Sequence, residues 1–466
     1  MISKIKEFVI LSCLVVMALF FRINNLEGRM TFEWDQARDF DAVETMINTG
    51  KPALLGPIVR GETGGFYIGP LYYYLITPLY FFSGGNPVSL MILSIGLDIV
   101  VICLLYWFIR SQVGISSATI VAALWAGSPL IVNNALIPWN VSLIPVWTLI
   151  YIIVIYRLVV STRFRYKFVA VFLASLTTNI HLSLVPIALY FLLINWKKFI
   201  NLPYIQYILL GIAAVIPIST LIIHDLIFRF ENTILLKRFL FGVGTKSANI
   251  SQIIFLIVEK YGYTIGRLFT GEPYTILGLV ITVLLVGFGF LYLRKNPIIR
   301  YSLLSIAVTL FSLLIYRDSD FAEYYFMPTF IPILILLAYF THAFLAKISQ
   351  IFRYLTLIIV CGLYLYLGLL VRSSAISPYS LAVKRMIITA ISDLGYSTEF
   401  RTNLPRERNT GFGYLMKQMN VVSDSSASRK AYVYEVQNME VISPPEARSI
   451  IFEKPIQAFK LIVFSN

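Results

Sequence analysis

Five carboxylates and one guanidinium crowd into residues 33–44: Glu33, Asp35, Arg38, Asp39, Asp41 and Glu44. On a helix begun near Asp35, side chains three and four apart share a face. Arg38 then lies over the turn that carries Asp35, and Asp41 and Glu44 continue that side. What such an array can do depends on its surroundings. Fully solvated, it only holds a helix at the edge of the membrane. Over a cavity, it becomes a set of titratable groups held where a proton can be moved.

The rest of the chain decides the setting. It has 466 residues, 58% hydrophobic and 13% charged, with a mean hydropathy of +0.78, the composition of a polytopic membrane protein. The net charge of +14 does not imply nucleic acid, because many basic residues sit in short loops between apolar segments, where they set orientation. Cys13, Cys103 and Cys361 all fall inside apolar segments, so neither a disulfide framework nor a Cys-based metal site is expected. The first apolar run follows Lys4 and Lys6 without a small-residue cleavage site, and reads as a retained helix with its N-terminus in the cytoplasm.

Eleven spans are expected, at about 5–25, 88–109, 116–134, 141–160, 167–180, 182–196, 204–223, 274–293, 300–316, 324–345 and 352–371. Residues 69–82 are short, Tyr-rich and contain Pro78, and are read as a helix lying in the outer interface. If they crossed, Arg110, the cluster Arg157, Arg163, Arg165 and Lys167, and Lys197 and Lys198 would all move outside, against the positive-inside rule. The run 252–270 is interrupted by Glu259, Lys260 and Arg267 and is too short to span. From Arg372 the composition turns soluble: residues 379–394 read as a helix, and 431–436 and 461–464 as strands. The expected fold is therefore an all-α polytopic membrane domain at 1–371, with a first outer loop at 27–87. A small extracytoplasmic α/β domain follows at 372–466.

In this topology Pro129, Pro145, Pro186, Pro217, Pro328 and Pro332 all lie in the outer halves of their helices. Helix starts account for some of them. Polar residues gather on the same side: Asn133, Asn134, Asn140, Asn179, His181, His224, Arg317, Asp318, Glu323 and Tyr324. An outward-opening cavity, roofed by the acidic stretch, explains both sets together. Asp98, midway along its span, is either a functional acid or a partner in a buried interhelical bond. His342 reads as a histidine packed between helices.

The segment Asp35-Gln36-Ala37-Arg38 resembles the Asp-Glu-x-Arg opening of membrane glycosyltransferases with the GT-C fold, in particular family 39, the protein O-mannosyltransferases and aminoarabinose-lipid A transferases. Asp41 matches a second acid six residues on, and Gly50 a glycine that ends the helix. Gly69-Pro70-Leu71-Tyr72-Tyr73-Tyr74 is similar to the family's x-Pro-Pro-Leu-x-Tyr, and Glu323-Tyr324-Tyr325-Phe326-Met327-Pro328 to its late Arg/His-Tyr-x-x-Pro segment. The likeness covers about residues 1–345.

The resemblance implies transfer of a sugar from a polyprenyl-phosphate donor to a hydroxyl of a lipid, glycan or protein acceptor on the outer face of the membrane. Asp35 would be the general base, held at a useful pKa beside Arg38. Donor and substrate contacts would come from Arg38, Asp41, Arg60, Tyr67, Tyr72, Tyr73, Asn140, His181, Arg317, Glu323 and Tyr324. A cation must meet the charge growing on the leaving phosphate, with Arg60, Arg229, Lys237, Arg238, Arg267 and Arg317 as candidates. Tyr72 to Tyr74 suit an apolar groove for the polyprenyl tail. Three departures bear on a divalent metal: Gln36 replaces the usual Glu, Ile68 a Lys or His, and Asn140 an Asp. The metal ligands are therefore unknown from sequence. Asn140-Val141-Ser142 and Asn249-Ile250-Ser251 match the glycosylation pattern but abut spans. The competing classes are a secondary transporter, which should show paired halves with matched interruptions, and a membrane scaffold, which leaves the acidic stretch unexplained.

Overall fold

The computed structural model describes residues 2–61, 64–241, 249–293, 295–316, 321–373, 377, 379–394, 399–402, 411–423, 427, 429–435, 449–457 and 459–465. The chain opens with α1 (Ile2–Arg22), the single turn α2 (Leu26–Arg29) and α3 (Trp34–Thr49). Gln36 tightens the start of α3, its Oε1 accepting the Glu33 N–H at 2.9 Å. Gly50 ends the helix at φ 64°, a left-handed conformation that costs glycine nothing. A short antiparallel hairpin, β1 (Ile58–Gly61) and β2 (Gly64–Tyr67), then leads into α4 (Leu71–Ser83). At 13 residues α4 is about 20 Å long, short of the roughly 30 Å of a hydrocarbon core.

The helical bundle follows: α5 (Ser89–Val113), α6 (Ile115–Gly127), α7 (Pro129–Ala135), α8 (Ile144–Val160), α9 (Phe164–Leu176), α10 (Val185–Ile194), α11 (Tyr204–Ile227), α12 (Glu231–Phe241), α13 (Ile250–Thr270), α14 (Thr275–Tyr292), α15 (Pro297–Tyr316), α16 (Phe330–Leu345) and α17 (Gln350–Arg372). Among the described residues seven helices are long and apolar enough to cross a membrane, and α6 with α7, bent by 56°, makes an eighth. The chain is a multi-pass membrane protein. The count differs from the eleven expected spans for three reasons. Lys4, Lys6, Glu7 and Arg22 load α1 with charge. The segments 167–180 and 182–196 are broken, with α9 only 13 residues long and α10 only 10. The bend between α6 and α7 falls at Pro129, which has no N–H to continue the ladder. It also lies beside Gly127, where a Cβ would sit 2.1 Å from the Tyr364 carbonyl of α17.

Asp98 of α5 is an interhelical strut. Its carboxylate accepts from Arg22 Nε (2.6 Å), Arg22 Nη2 (2.5 Å) and Trp125 Nε1 (2.6 Å), joining α1, α5 and α6. The remaining Arg22 donors reach the carbonyls of Ala18 and Ala126. Beside it a cavity of about 30 Å³, lined in part by Ser94, Asn134, Trp139 and Ser142, has room for roughly two waters. His342 corrects its expectation: it lies exposed on the surface of α16 rather than packed between helices.

After α17 come α18 (Leu381–Ser392), β3 (Glu399–Thr402), α19 (Gly411–Gln418), β4 (Arg429–Glu435), β5 (Ser449–Ile456) and β6 (Phe459–Ser465). The sheet order is β3-β4-β6-β5, parallel at β3–β4 and antiparallel elsewhere. α18 and α19 close over α2 and α3. Backbone bonds run from Ser377 to Gly28 and from Leu381 to Met30, and Tyr414 packs on Phe32 and Phe40.

Candidate functional site

The first turn of α3 assembles the site. Arg38 Nη1 meets Asp35 Oδ1 at 2.6 Å, one turn back along the helix. Its other edge grips the next residue: Nε and Nη2 both donate to Asp39 Oδ1, at 2.9 and 2.6 Å. Asp35 keeps a third of its side-chain surface open (33%), while Asp39 has none. Asp39 Oδ2 is buried with no hydrogen-bond partner. Burial and the nearby Asp35 push the Asp39 carboxyl up, against the pull of Arg38.

α4 supplies the facing wall. Tyr72 and Tyr73 are buried; Tyr73 hydrogen-bonds to Arg38, and Tyr72 feels the charges of Asp39, Arg38 and Asp35. Their hydroxyls are pushed up by burial first and by Asp39 second, so both remain donors at neutral pH. A close approach of two loops delivers α4 here. Gly69 N–H donates to Thr178 O, and a Cβ on Gly69 would lie 1.9 Å from Asn179 Oδ1. Asn179 is itself tied to Pro217 O at 2.7 Å.

The structure brings Asp35, Arg38, Tyr72 and Tyr73 together. Asp41 is not with them: it is exposed on the other side of α3, where Glu44 pairs with Lys417 of α19 at 2.7 Å. Asp35, Arg38 and Asp39 are the i, i+3, i+4 set, so Asp39 occupies the face that Asp41 was expected to continue. Asn140 is spent on structure, its Nδ2 donating to Ile180 O at 2.8 Å. His181 bonds Ser183 through Nδ1 and meets the edge of Tyr324, whose ring also packs on Trp139. Glu323 pairs with Arg267 at 2.5 Å. Tyr67 exchanges two backbone bonds with the Asn232 side chain of α12, and α12 exposes Lys237 and Arg238. Arg60 lies on β1. Arg317 falls outside the described residues.

Two residues around α3 were not among the expected site residues. Asp39 carried a signal, four residues after Asp35 and adjacent to Arg38. Lys384 of α18 carried none. It is buried, donates from Nζ to Phe32 O at 2.5 Å and lies over the Phe412 ring at 5.2 Å. Gln36, at the position of a usual Glu, uses its amide on backbone: Oε1 accepts from Glu33 N–H and Nε2 donates to Pro138 O at 3.1 Å. Among the described residues no three His, Cys, Asp or Glu side chains converge to hold a metal ion. Gln36 Oε1 is already taken by the Glu33 N–H, and Asn140 holds the Ile180 carbonyl through Nδ2.

This bundle, with its charged α3 and short α4, has the GT-C fold. The likeness to solved structures is in fold, at low identity. ArnT from Cupriavidus metallidurans bound to undecaprenyl phosphate superposes with a TM-score of 0.61 at 10% identity, over 98% of this chain and 97% of that one. The same protein in the apo state gives 0.63 at 10% identity, over 99% and 98%. The Archaeoglobus fulgidus oligosaccharyltransferase in complex with Zn and sulfate gives 0.50 at 11%, over 92% of this chain and 68% of that one. No family model matches the sequence, and no curated protein matches it.

Proposed function

We propose that this chain is a glycosyltransferase that moves a sugar from a polyprenyl-phosphate donor to a hydroxyl of a lipid, glycan or protein acceptor. The observation that carries the reading is the half-open Asp35 carboxylate on the first turn of α3, held by Arg38 at 2.6 Å in a chain with the GT-C fold. Asp35 takes the acceptor's proton as its oxygen bonds to the anomeric carbon. The bond from that carbon to the phosphate oxygen breaks, and a polyprenyl phosphate leaves. The solved ArnT complex holds undecaprenyl phosphate, the lipid class that the leaving group implies.

The growing charge on that phosphate calls for a cation. Arg229, Lys237 and Arg238 are exposed, whereas Arg267 is already matched by Glu323. Tyr72 and Tyr73 are too buried to line an open groove; their place beside Arg38 supports a role in holding the base. The basic loops favour a cytoplasmic N-terminus, with the site and residues 372–466 on the outer face. We take residues 1–371 as the catalytic domain and 372–466 as its cover.

Asp35→Asn tests the reading. General-base catalysis is worth about 10² to 10⁴-fold, so transfer should fall by that order while donor binding holds. Glu44→Gln, on the opposite face, should keep most activity. Transfer at near wild-type rate by folded Asp35→Asn protein would remove the base and the proposal with it.

A further inference from the structure

We infer that the turn between α8 and α9, with the turn Trp196–Phe199 that touches it, holds the phosphate headgroup of an anionic phospholipid. Six cations gather there: Arg157, Arg163, Arg165, Lys167, Lys197 and Lys198. The chain has no Asp or Glu between Asp98 and Asp225. Glu7, at the same end of the bundle, is already taken by Arg110 at 2.7 Å. Among the described residues none of the six has a carboxylate partner.

The two turns make one surface. Lys198 Nζ donates to Val159 O, at the end of α8, at 3.3 Å. The Tyr166 hydroxyl accepts from Arg165 Nη2 at 2.9 Å and feels the charges of Arg157 and Arg163, so three guanidiniums surround one phenol. Arg165 and Arg157 lie over the rings of Tyr166 and Tyr156, at 4.9 and 5.8 Å. A guanidinium stacked in this way still presents N–H groups in its plane, the geometry that meets phosphate oxygens.

Helix stability does not account for the cluster. Arg163, Arg165 and Lys167 stand at the start of α9, which has no acid in its first turn, and there the helix dipole disfavours cations. Orientation in the membrane asks for basic residues at this end, but Lys6 and Lys347, exposed beside the start of α17, serve that equally. It does not ask for six on two touching turns. An anion relieves their repulsion. A lipid fits better than a soluble phosphate, because Val160, Trp196, Ile200 and Tyr204 form an exposed apolar rim around the cations. Acyl chains cover such a rim while the headgroup meets the charges. α1 begins at this end, where Glu7 meets Arg110, and α3 follows its far end. The lipid therefore takes no part in the proposed transfer.

The test is a lipid titration of the purified full chain in detergent, read by native mass spectrometry, with phosphatidylglycerol against phosphatidylcholine. Wild type should hold phosphatidylglycerol the more tightly, and equal affinity for the two overturns the site. Each basic residue at an anionic headgroup is worth about fivefold in binding. Arg163→Gln with Arg165→Gln should therefore weaken phosphatidylglycerol by roughly 25-fold and leave phosphatidylcholine unchanged. Arg163→Gln with Lys197→Gln makes the same prediction should the first pair fail to fold. Lys6→Gln with Lys347→Gln removes as much charge from the same end, and should stay within about twofold of wild type. An equal loss in that control overturns the site, because net charge alone would then set the binding. Inorganic phosphate in large excess should leave the lipid in place; displacement by it would give the cations to a soluble anion and sink the lipid assignment.

Discussion

Replacing Asp98 by Asn distinguishes a strut from a working acid. Asp98 accepts three hydrogen bonds, two from Arg22 and one from Trp125, all between 2.5 and 2.6 Å. Asparagine offers one oxygen and one NH2 in their place, so a donor must face the donors of Arg22 or Trp125. Arg22, with no exposed surface, would then hold a charge without a counter-ion. Breaking a buried pair on one side costs about 3 to 5 kcal/mol, which for a chain of this size lowers Tm by roughly 3 to 5 °C. The double variant Arg22→Leu with Asp98→Leu removes both charges and should recover most of that loss. The assay is thermal unfolding in detergent for the three variants, with transfer activity measured well below each transition. Should Asp98→Asn unfold at the wild-type temperature while losing turnover, the strut assignment is wrong, and Asp98 joins the reacting groups.

Two further outcomes follow from the seat of α18 and from the basic loops. Burial pulls the Lys384 amine down to about 8, while an unfolded lysine titrates near 10.4. Between these values the unfolded chain holds a proton that the folded chain has released, so stability should rise with pH, by roughly 3 kcal/mol in all. Unfolding measured at pH 8 and pH 10 should show that rise in wild type and lose it in Lys384→Met; an equal rise in both would clear Lys384. For orientation, single cysteines at Ser111 and Ser161, in a background lacking the native three, should resist an impermeant maleimide in intact cells, and labelling at both would invert the topology.

The parts of this molecule that sequence made legible are those governed by local rules. Gly50 stops α3 where expected, and α4 is the short helix that Pro70 and the two glycines after Ser83 delimit. The strand at 431–436 and the helix at 379–394 appear as β4 and α18. Helical periodicity also contained the trio Asp35, Arg38 and Asp39, since offsets of three and four share a face. Motif spacing pointed to Asp41 instead, and the structure turns that residue to the other side. What no periodicity could supply is the meeting of distant segments. Gly69 fits against Asn179, Arg22 against Asp98, and Lys384 against Phe32 because the bundle folds them together. The expected spans outnumber the long apolar helices for a related reason: hydropathy reports how apolar a segment is, and breaks at 177–184 and Pro129 are backbone events within apolar runs.

The seat of α18 and α19 on α2 and α3 has a consequence for how the protein is made. Phe32 and Phe40 of the first loop are covered by Tyr414, and the carbonyl of Phe32 is met by a lysine 352 positions later. At about 5 to 20 residues per second, a ribosome needs roughly 20 to 70 s to cover that distance. Throughout that interval the helix bearing Asp35 waits with an apolar flank and an unmet carbonyl, while most of the bundle is threaded into the bilayer. A nascent or prematurely stopped chain therefore displays a sticky surface that a finished one conceals. Proteases and chaperones have in that surface a mark of incompleteness, and the surroundings of α3 are complete only when synthesis has passed α18 and α19.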